Sequence, residues 1–349
     1  MVRKGSFRIG FFLLIMLFIL TNVIACSSAD SQKQEDNVQD KKNTQETEKW
    51  SPEQIEIVLP HKVGSNQDMT TRILGEVWAA KLGTTFVYNN KDGASGQIGY
   101  NYFQTLPKDG SVIMSSNLAS ASIMYKEQTP PWDWEETLIW MGIFGIDPGT
   151  FFVRANSPYE TINQLIDEAK NKKLTVAISY WASPDNLLLH QIMEQTGAQF
   201  EIIPYGSGND LVTQVMGGHV DFGYTKVSGV EKAGDLRHLA ISMPENPIPH
   251  LTNDAPALDE ALGTKTLLVA SYRAVNVHKE LMEKYPERYQ SIKETFEEAK
   301  DDPRVIESMK KAGADPDLMV DWDEAELMNQ TRMYWEAFEK YKDIYTQEK

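Results

Sequence analysis

Residues 55–114 read "IEIVLPHKVGSNQDMTTRILGEVWAAKLGTTFVYNNKDGASGQIGYNYFQTLPKDGSVIM", and their hydrophobic period alternates between that of a strand and that of a helix. "IEIVLP" is a strand; "DMTTRILGEVWAAKLG" sets Met69, Ile73, Val77 and Ala80 on one helical stripe and closes on Gly83. "TTFVY" is a second strand, residues 96–106 a second helix and "GSVIMSS" a third strand. Within the stretch, Gly93, Gly96 and Gly99 stand three apart, as G-x-x-G-x-x-G. That is not the dinucleotide pattern G-x-G-x-x-G. Gly93 is expected to supply a backbone angle that a side chain would hinder, and Gly96 and Gly99 a close approach of helix to sheet.

The alternation resumes after Arg154 with helix "TINQLIDEAK", strand "LTVAIS", helix "PDNLLLHQIMEQTG", strand "FEIIPY", helix "DLVTQVMGG" and strands "VDFGY" and "LRHLAIS". Such order implies mainly parallel sheets flanked by helices, an α/β fold. Roughly 300 ordered residues exceed one typical core and suggest two lobes. Two stretches are candidate crossovers between them: "LIWMGIFGIDPGTFFVR", where Asp147-Pro148-Gly149 reads as a turn inside a long strand, and "TLLVASYR", residues 266–273. Trp132, Trp134 and Trp140 read as cover for the crossover region. From Lys279 the pattern is helical, interrupted at Pro286, Pro303 and Pro316.

The N-terminal end has a different chemistry. Arg3, Lys4 and Arg8 precede ten apolar residues, "FFLLIMLFIL", and then "VIAC". Charge, length and small-residue exit are those of a secretory signal over residues 1–25, and the apolar run falls short of the roughly 20 residues that span a bilayer. "VIAC" resembles a bacterial lipobox, which implies that Cys26 carries a thioether-linked diacylglycerol, with acyl chains of the palmitate type, and anchors the protein on the outer face of the cell membrane. With a single cysteine no intramolecular disulfide forms. Residues 26–50 hold almost nothing to bury and read as a disordered tether. Removing the leader, with three basic and no acidic residues, takes the formal charge from −16 to −19, which argues against nucleic acid and anionic lipid surfaces as partners.

In order and spacing, the motifs of residues 55–242 resemble the Bug-like (TctC-type) solute-binding receptors of tripartite tricarboxylate transporters. Pro60, Gly64 and Asp68 stand in the family's first pattern, Asn90, Lys91, Gly93, Ala94 and Gly96 in the second, and Pro107, Asp109 and Gly110 in the third. The likeness continues through "SPDNLLLHQIMEQTG", "PYGSGNDLVTQVMGGHVDFGY" and "GDLRHLAIS". Departures are His61 for the usual aromatic, Ser65 for the second glycine, Asp92 for a proline and Ser207 for a glycine. The resemblance implies a periplasmic-binding-protein-like fold, two lobes hinged by two crossover strands, a monomer without catalysis or cofactor. A small organic carboxylate would be held between the lobes and passed to a membrane permease. The lobes are expected at 51–150 plus 272–349 and at 151–271.

The residues allow such a grip. At "PHKVGSNQD" the chain leaves a strand for a helix, so the amides at Val63, Gly64, Ser65 and Asn66 are expected to point outward unpaired, with the positive helix end behind them. On the second lobe Ser183 is a candidate N-cap, followed by Pro184 and then Asn186. Gly208 precedes a third helix, capped by Asn209 or Asp210. Ser116 and Asn117, ending the third strand, complete the candidate site. Tyr180, Trp181, Tyr205 and Tyr224 lie at predicted strand ends, where each either walls a pocket or packs in the core.

Two other classes compete. A secreted hydrolase lacks support, because no G-x-S-x-G is present and the six histidines, at 61, 190, 219, 238, 250 and 278, show no metal spacing. A receptor that reports ligand to a signalling partner has the same sequence signature as a transport receptor.

Overall fold

Strand β1 (Gln54–Leu59) buries Ile55, Ile57, Val58 and Leu59, as a strand covered on both faces must. In the computed structural model the described residues are 50–346, apart from 313, 315–317 and 319–321. The leader, Cys26, the tether up to residue 49 and Pro316 lie outside them. After β1 come α1 (Asn66–Leu82), β2 (Thr85–Asn90), α2 (Gln97–Gln104), β3 (Val112–Asn117), α3 (Leu118–Gln128), α4 (Trp134–Thr137) and β4 (Leu138–Arg154). The chain continues through α5 (Ile162–Asn171), β5 (Leu174–Ile178), α6 (Pro184–Thr196), β6 (Phe200–Pro204), α7 (Gly208–Gly217), β7 (Phe222–Lys226), α8 (Val227–Glu231) and β8 (Leu236–Ile241). Then follow α9 (Pro249–Thr252), α10 (Leu258–Leu262), β9 (Ala270–His278), α11 (Lys279–Lys284), α12 (Pro286–Lys300), α13 (Pro303–Lys311) and α14 (Glu324–Thr346).

The strands form a mainly parallel sheet in two halves. In the first, β2, β1 and β3 are parallel and β9 runs antiparallel between β3 and β4. In the second, β6, β5 and β7 are parallel and β4 runs antiparallel between β7 and β8. Strand β4 belongs to both halves. Residues from Leu138 to Pro148 pair with β9, and those from Gly149 to Arg154 pair with β7 and β8. The expected turn at Asp147-Pro148-Gly149 is therefore absent; the strand continues through it and changes partners, with register shifts at Trp140/Gly142, Ile143/Gly145 and Phe151/Phe152. Proline suits the change because it has no N–H to place. Gly149 is needed for room, since a Cβ there would lie 1.8 Å from the Tyr224 hydroxyl and 2.5 Å from the Val269 carbonyl oxygen.

Alternation along the strands sorts the core into layers. Val58, Val112, Met114 and Ala274 join α2 and α3, whereas Ile57, Leu59, Ile113 and Val275 join α1 and α12. In the second half Phe151 and Val176 face α6, and Phe152 and Ala177 face α7. On α1 the buried face runs through Gln67, Thr71, Leu74 and Trp78; of the apolar stripe expected, Val77 is buried and Ile73 packs against the core, whereas Met69 and Ala80 are exposed. Polar residues go inward because they have polar partners: Thr71 Oγ1 lies 2.7 Å from Ser115 Oγ, and Gln67 Nε2 donates to Ser115 Oγ at 3.1 Å.

Helix α14 joins the two halves. Trp140 Nε1 donates to Thr331 Oγ1 at 2.9 Å and Tyr334 donates to the Leu268 carbonyl at 2.6 Å. Lys126 of α3 pairs with Glu339 at 2.8 Å, and Glu194 of α6 with Lys340 at 2.5 Å. Trp134 is wholly buried between Tyr100 and Trp140, with ring centroids 5.3 and 5.2 Å away. The tryptophans cover the first half of β4 and bind α14 to it.

The glycine stretch follows a left-handed path. Gly93, Ala94, Ser95 and Gly96 all have positive φ, at 124°, 47°, 54° and 100°. Gly96 thus supplies backbone angle, where close packing was expected of it. Gly99 does supply packing: its Cβ would meet Pro60 Cβ at 2.7 Å and the Lys91 carbonyl at 2.9 Å.

The partner change in β4 predicts that Gly149→Ala costs about 1–3 kcal/mol, because Val269 backbone and a buried tyrosine must shift. Urea unfolding measures it, and a loss under about 0.5 kcal/mol would mean the strand accommodates a methyl group.

Candidate functional site

Loops from both sheet halves meet around a cavity of about 520 Å³. The β1–α1 loop contributes Pro60, His61 and Lys62, the glycine stretch Asp92, Ser95 and Gly96, and α3 Ser120, Ile123, Met124 and Glu127. The second half contributes Tyr180, Trp181, Ala182, Ser183 and Pro184, which lead from β5 into α6.

The start of α1 is not open in the way expected. Gly64 N–H donates to Asp68 Oδ2 at 2.9 Å and Ser65 N–H to the Lys62 carbonyl at 3.1 Å, while Ser65 Oγ caps Asp68 N–H at 3.3 Å. The protein's own carboxylate already occupies the helix end. Asp68 is buried, which pushes its carboxyl up, but Arg72, Gly64 N–H and Asn90 outweigh this and hold it below the ordinary carboxylate range. Of the four amides expected to be open, those of Gly64 and Ser65 are thus paired, and Val63 points to solvent at 74 % exposure.

The other helix starts are capped too. Ser183 Oγ accepts from Asn186 N–H at 3.4 Å and donates to the Tyr180 carbonyl at 2.7 Å. Asp185 pairs with Lys226 at 2.8 Å, fixing the α6 start to the end of β7. At α7 the cap is Ser207, not Asn209 or Asp210, with Asp210 N–H donating to its Oγ at 3.1 Å. Asn117 caps α3 and donates to Ser271 Oγ at 2.7 Å, tying β3 to β9.

Of the sequence candidates, Tyr180, Trp181 and Ser183 line the cavity. Asn186 lies directly behind them, fully buried, donating to the Trp181 carbonyl at 2.9 Å. Ser116 and Tyr224 are placed elsewhere. Ser116 is buried in the sheet with Tyr100 and Asn276, and Tyr224 packs against Gly149 with its hydroxyl donating to Ser242 Oγ at 2.9 Å. Tyr205 packs in the core of the second half beside Ala177 and Leu211, and neither it nor Gly208 is among the residues lining the cavity.

His61 and Asp92, absent from the candidates, do line the cavity. Their signal was visible, since both are departures from the family pattern. Two lining residues carry a buried nitrogen with no partner, His61 Nε2 and Trp181 Nε1, and behind them Asn186 Oδ1 is a buried acceptor with none. Such orphan groups cost about 1–3 kcal/mol each, which a ligand atom or water in reach would offset. Burial lowers His61 from 6.5 to about 4 against the opposing pull of Asp92 and Asp68, so the imidazole is neutral at pH 7. Among the described residues no group of three or more His, Cys, Asp or Glu side chains could hold a metal ion.

The family model described as "Tripartite tricarboxylate transporter family receptor" matches residues 70–342. Protein BugT of Bordetella pertussis is 25 % identical over 194 residues, which cover 54 % of this chain and 60 % of BugT. The chain thus matches about three-fifths of that relative's length. Among solved structures, a TctC solute-binding protein from Polaromonas without ligand superposes with a TM-score of 0.70 at 19 % identity, covering 82 % of this chain and 98 % of its own. An R. palustris protein solved with adipate gives 0.63 at 20 % identity, over 84 % and 96 %.

With His61 lowered to about 4, the unfolded chain takes up the proton first as pH falls below 6.5, so stability is lost between about 6.5 and 4 and levels below that. His278, also lowered to about 4 chiefly by burial, acts the same way. His61→Asn is expected to flatten part of this acid limb, leaving the part due to His278, His190 and His238, which burial also lowers, in urea titrations from pH 7 to 4. An unchanged slope would show that His61 is not held neutral by the fold.

Proposed function

The chain belongs to the tripartite tricarboxylate transporter receptor family, whose members are extracytoplasmic solute-binding proteins, and from that premise we propose that it captures a small organic carboxylate and delivers it to the permease of such a transporter. In this reading Cys26 is the lipid anchor, and the lobes at 51–150 plus 272–349 and at 151–271 close over the ligand. The observation that carries the proposal is the cavity between loops of the two sheet halves, with the unpartnered nitrogens of His61 and Trp181 in its wall.

The lining suggests how a carboxylate is held. Lys62 supplies positive charge, Trp181 an N–H donor and the neutral His61 one donor and one acceptor. Asp92 and Glu127 stand in the same wall, so each further negative charge on the ligand adds repulsion at short range. A ligand with one carboxylate, or one whose extra charge is balanced, fits better than a tricarboxylate. Net charge on the protein slows anion capture but is largely screened beyond roughly 8 Å at physiological salt.

Calorimetric titration of the soluble domain against mono-, di- and tricarboxylates tests this. Binding is expected for at least one class, in the order mono- or dicarboxylate above tricarboxylate. Trp181→Phe, which keeps the ring and removes the N–H, should weaken it roughly tenfold, the worth of about one hydrogen bond to a charged group. No heat across the panel would leave the carboxylate reading without support.

Cys26→Ser in the full chain is expected to abolish incorporation of a palmitate analogue and to move the protein from the membrane to the soluble fraction. Retention at the membrane in the variant would remove the lipid-anchor reading.

A further inference from the structure

A second pocket, of about 330 Å³, lies beside the β4–β9 pairing and shares no lining residue with the first cavity. Its wall is largely apolar, with Ile146 from β4, Val227 from the start of α8, and Ile248 and Leu251 from the segment around α9. Into this wall is set Arg273, on β9, only 3 % exposed. Its guanidinium lies against Gly145, where a Cβ would be 3.1 Å from Nη1.

Arg273 is a buried cation short of acceptors. The carboxylate beside it, Asp147, keeps Oδ2 3.8 Å from Nη2, too far for a hydrogen bond. Asp147 is committed elsewhere, since it accepts from Ser228 N–H at 3.2 Å and from Ser228 Oγ at 2.5 Å, holding the start of α8. A guanidinium offers five donors in a plane, and among the described residues none of them has a hydrogen-bond acceptor. Burial accordingly lowers Arg273 despite the pull of Asp147. A buried charge with unmet donors facing an apolar hollow is costly, and the ligand that would relieve it has one oxyanion and an apolar body.

We propose that this pocket is a second ligand site, for a small amphiphilic monocarboxylate whose headgroup meets Arg273 and whose chain lies along Ile146, Val227, Ile248 and Leu251. The volume equals roughly eleven water molecules at about 30 Å³ each, room for a chain of about eight carbons. A second negative charge is disfavoured by Asp147 and by Glu231 at the rim, while exposed Lys232 and Lys310 favour the first. The ligand contacts both sheet halves, because Ile146 and Arg273 belong to the first and Val227 to the second.

Isothermal titration with sodium octanoate tests the site, with octan-1-ol and sodium acetate as controls for the two halves of the recognition. The expected result is an octanoate site that does not depend on Trp181, with both controls at least tenfold weaker at that site. Arg273→Gln removes the charge and Leu251→Trp fills the hollow while leaving Arg273 in place. Each should weaken octanoate at least tenfold in protein that unfolds cooperatively, whereas Trp181→Phe should leave octanoate affinity unchanged. The proposal is overturned if octanoate does not bind, if both pocket variants bind it with wild-type affinity, or if Trp181→Phe alone reduces it, which would place octanoate in the first cavity.

Discussion

Backbone pairing through β4 is the constraint on which the rest of the structure depends. Seventeen residues from Leu138 to Arg154 form one strand, and every peptide group along it must find partners while the neighbours change from β9 to β7 and β8. At the change, Gly149 N–H donates to the Val269 carbonyl at 2.9 Å and the Gly149 carbonyl accepts from Ser242 N–H at 2.9 Å. Ladder bonds thus pass from one half to the other without a gap. The arrangement forbids a side chain at 149, puts the Tyr224 ring where that side chain would be, and brings the loops of the two halves face to face.

The same economy of polar groups explains the cavity. Helix starts expected to be open are closed by the chain's own oxygens: Asp68 and Ser65 at α1, Ser183 at α6, Ser207 at α7, Asn117 at α3. What stays unpaired is not main-chain N–H in bulk but a few side-chain atoms, His61 Nε2, Trp181 Nε1 and Asn186 Oδ1. Arg273 is the counterpart in the second pocket, a buried group whose donors the fold leaves open.

How far the sequence was legible depends on the range of the interaction. Strand and helix periods placed the strands, α1, α2, α5, α6, α7 and the helical tail, because burial on alternate residues or on every third or fourth is a local pattern, but they did not place α3, α4, α8, α9 or α10. It erred at α1, where Gln67 and Thr71 go inward to meet Ser115 on a strand more than 40 residues away. It also read Asp-Pro-Gly as a turn, since in isolation those residues favour one; only the neighbour strands make Pro148 a partner switch and Gly149 a space for Tyr224. Among site residues, Tyr180 and Trp181 were found from their place at a strand end and Ser183 as the N-cap of the helix that follows. Ser116 and Tyr224 stood at strand ends too, and nothing in their local sequence says which side chains turn into the core.

Sequence by itself determined the α/β class, the likeness to a receptor family and the acidic charge, all of which are properties of composition, period and ordered spacing. Tertiary structure alone decided which helix ends are already filled, which polar atoms remain without partners, and that Arg273 faces a hollow. Those are balances of hydrogen bonds between segments far apart in the chain, and a donor's vacancy depends on every acceptor that folding brings near it.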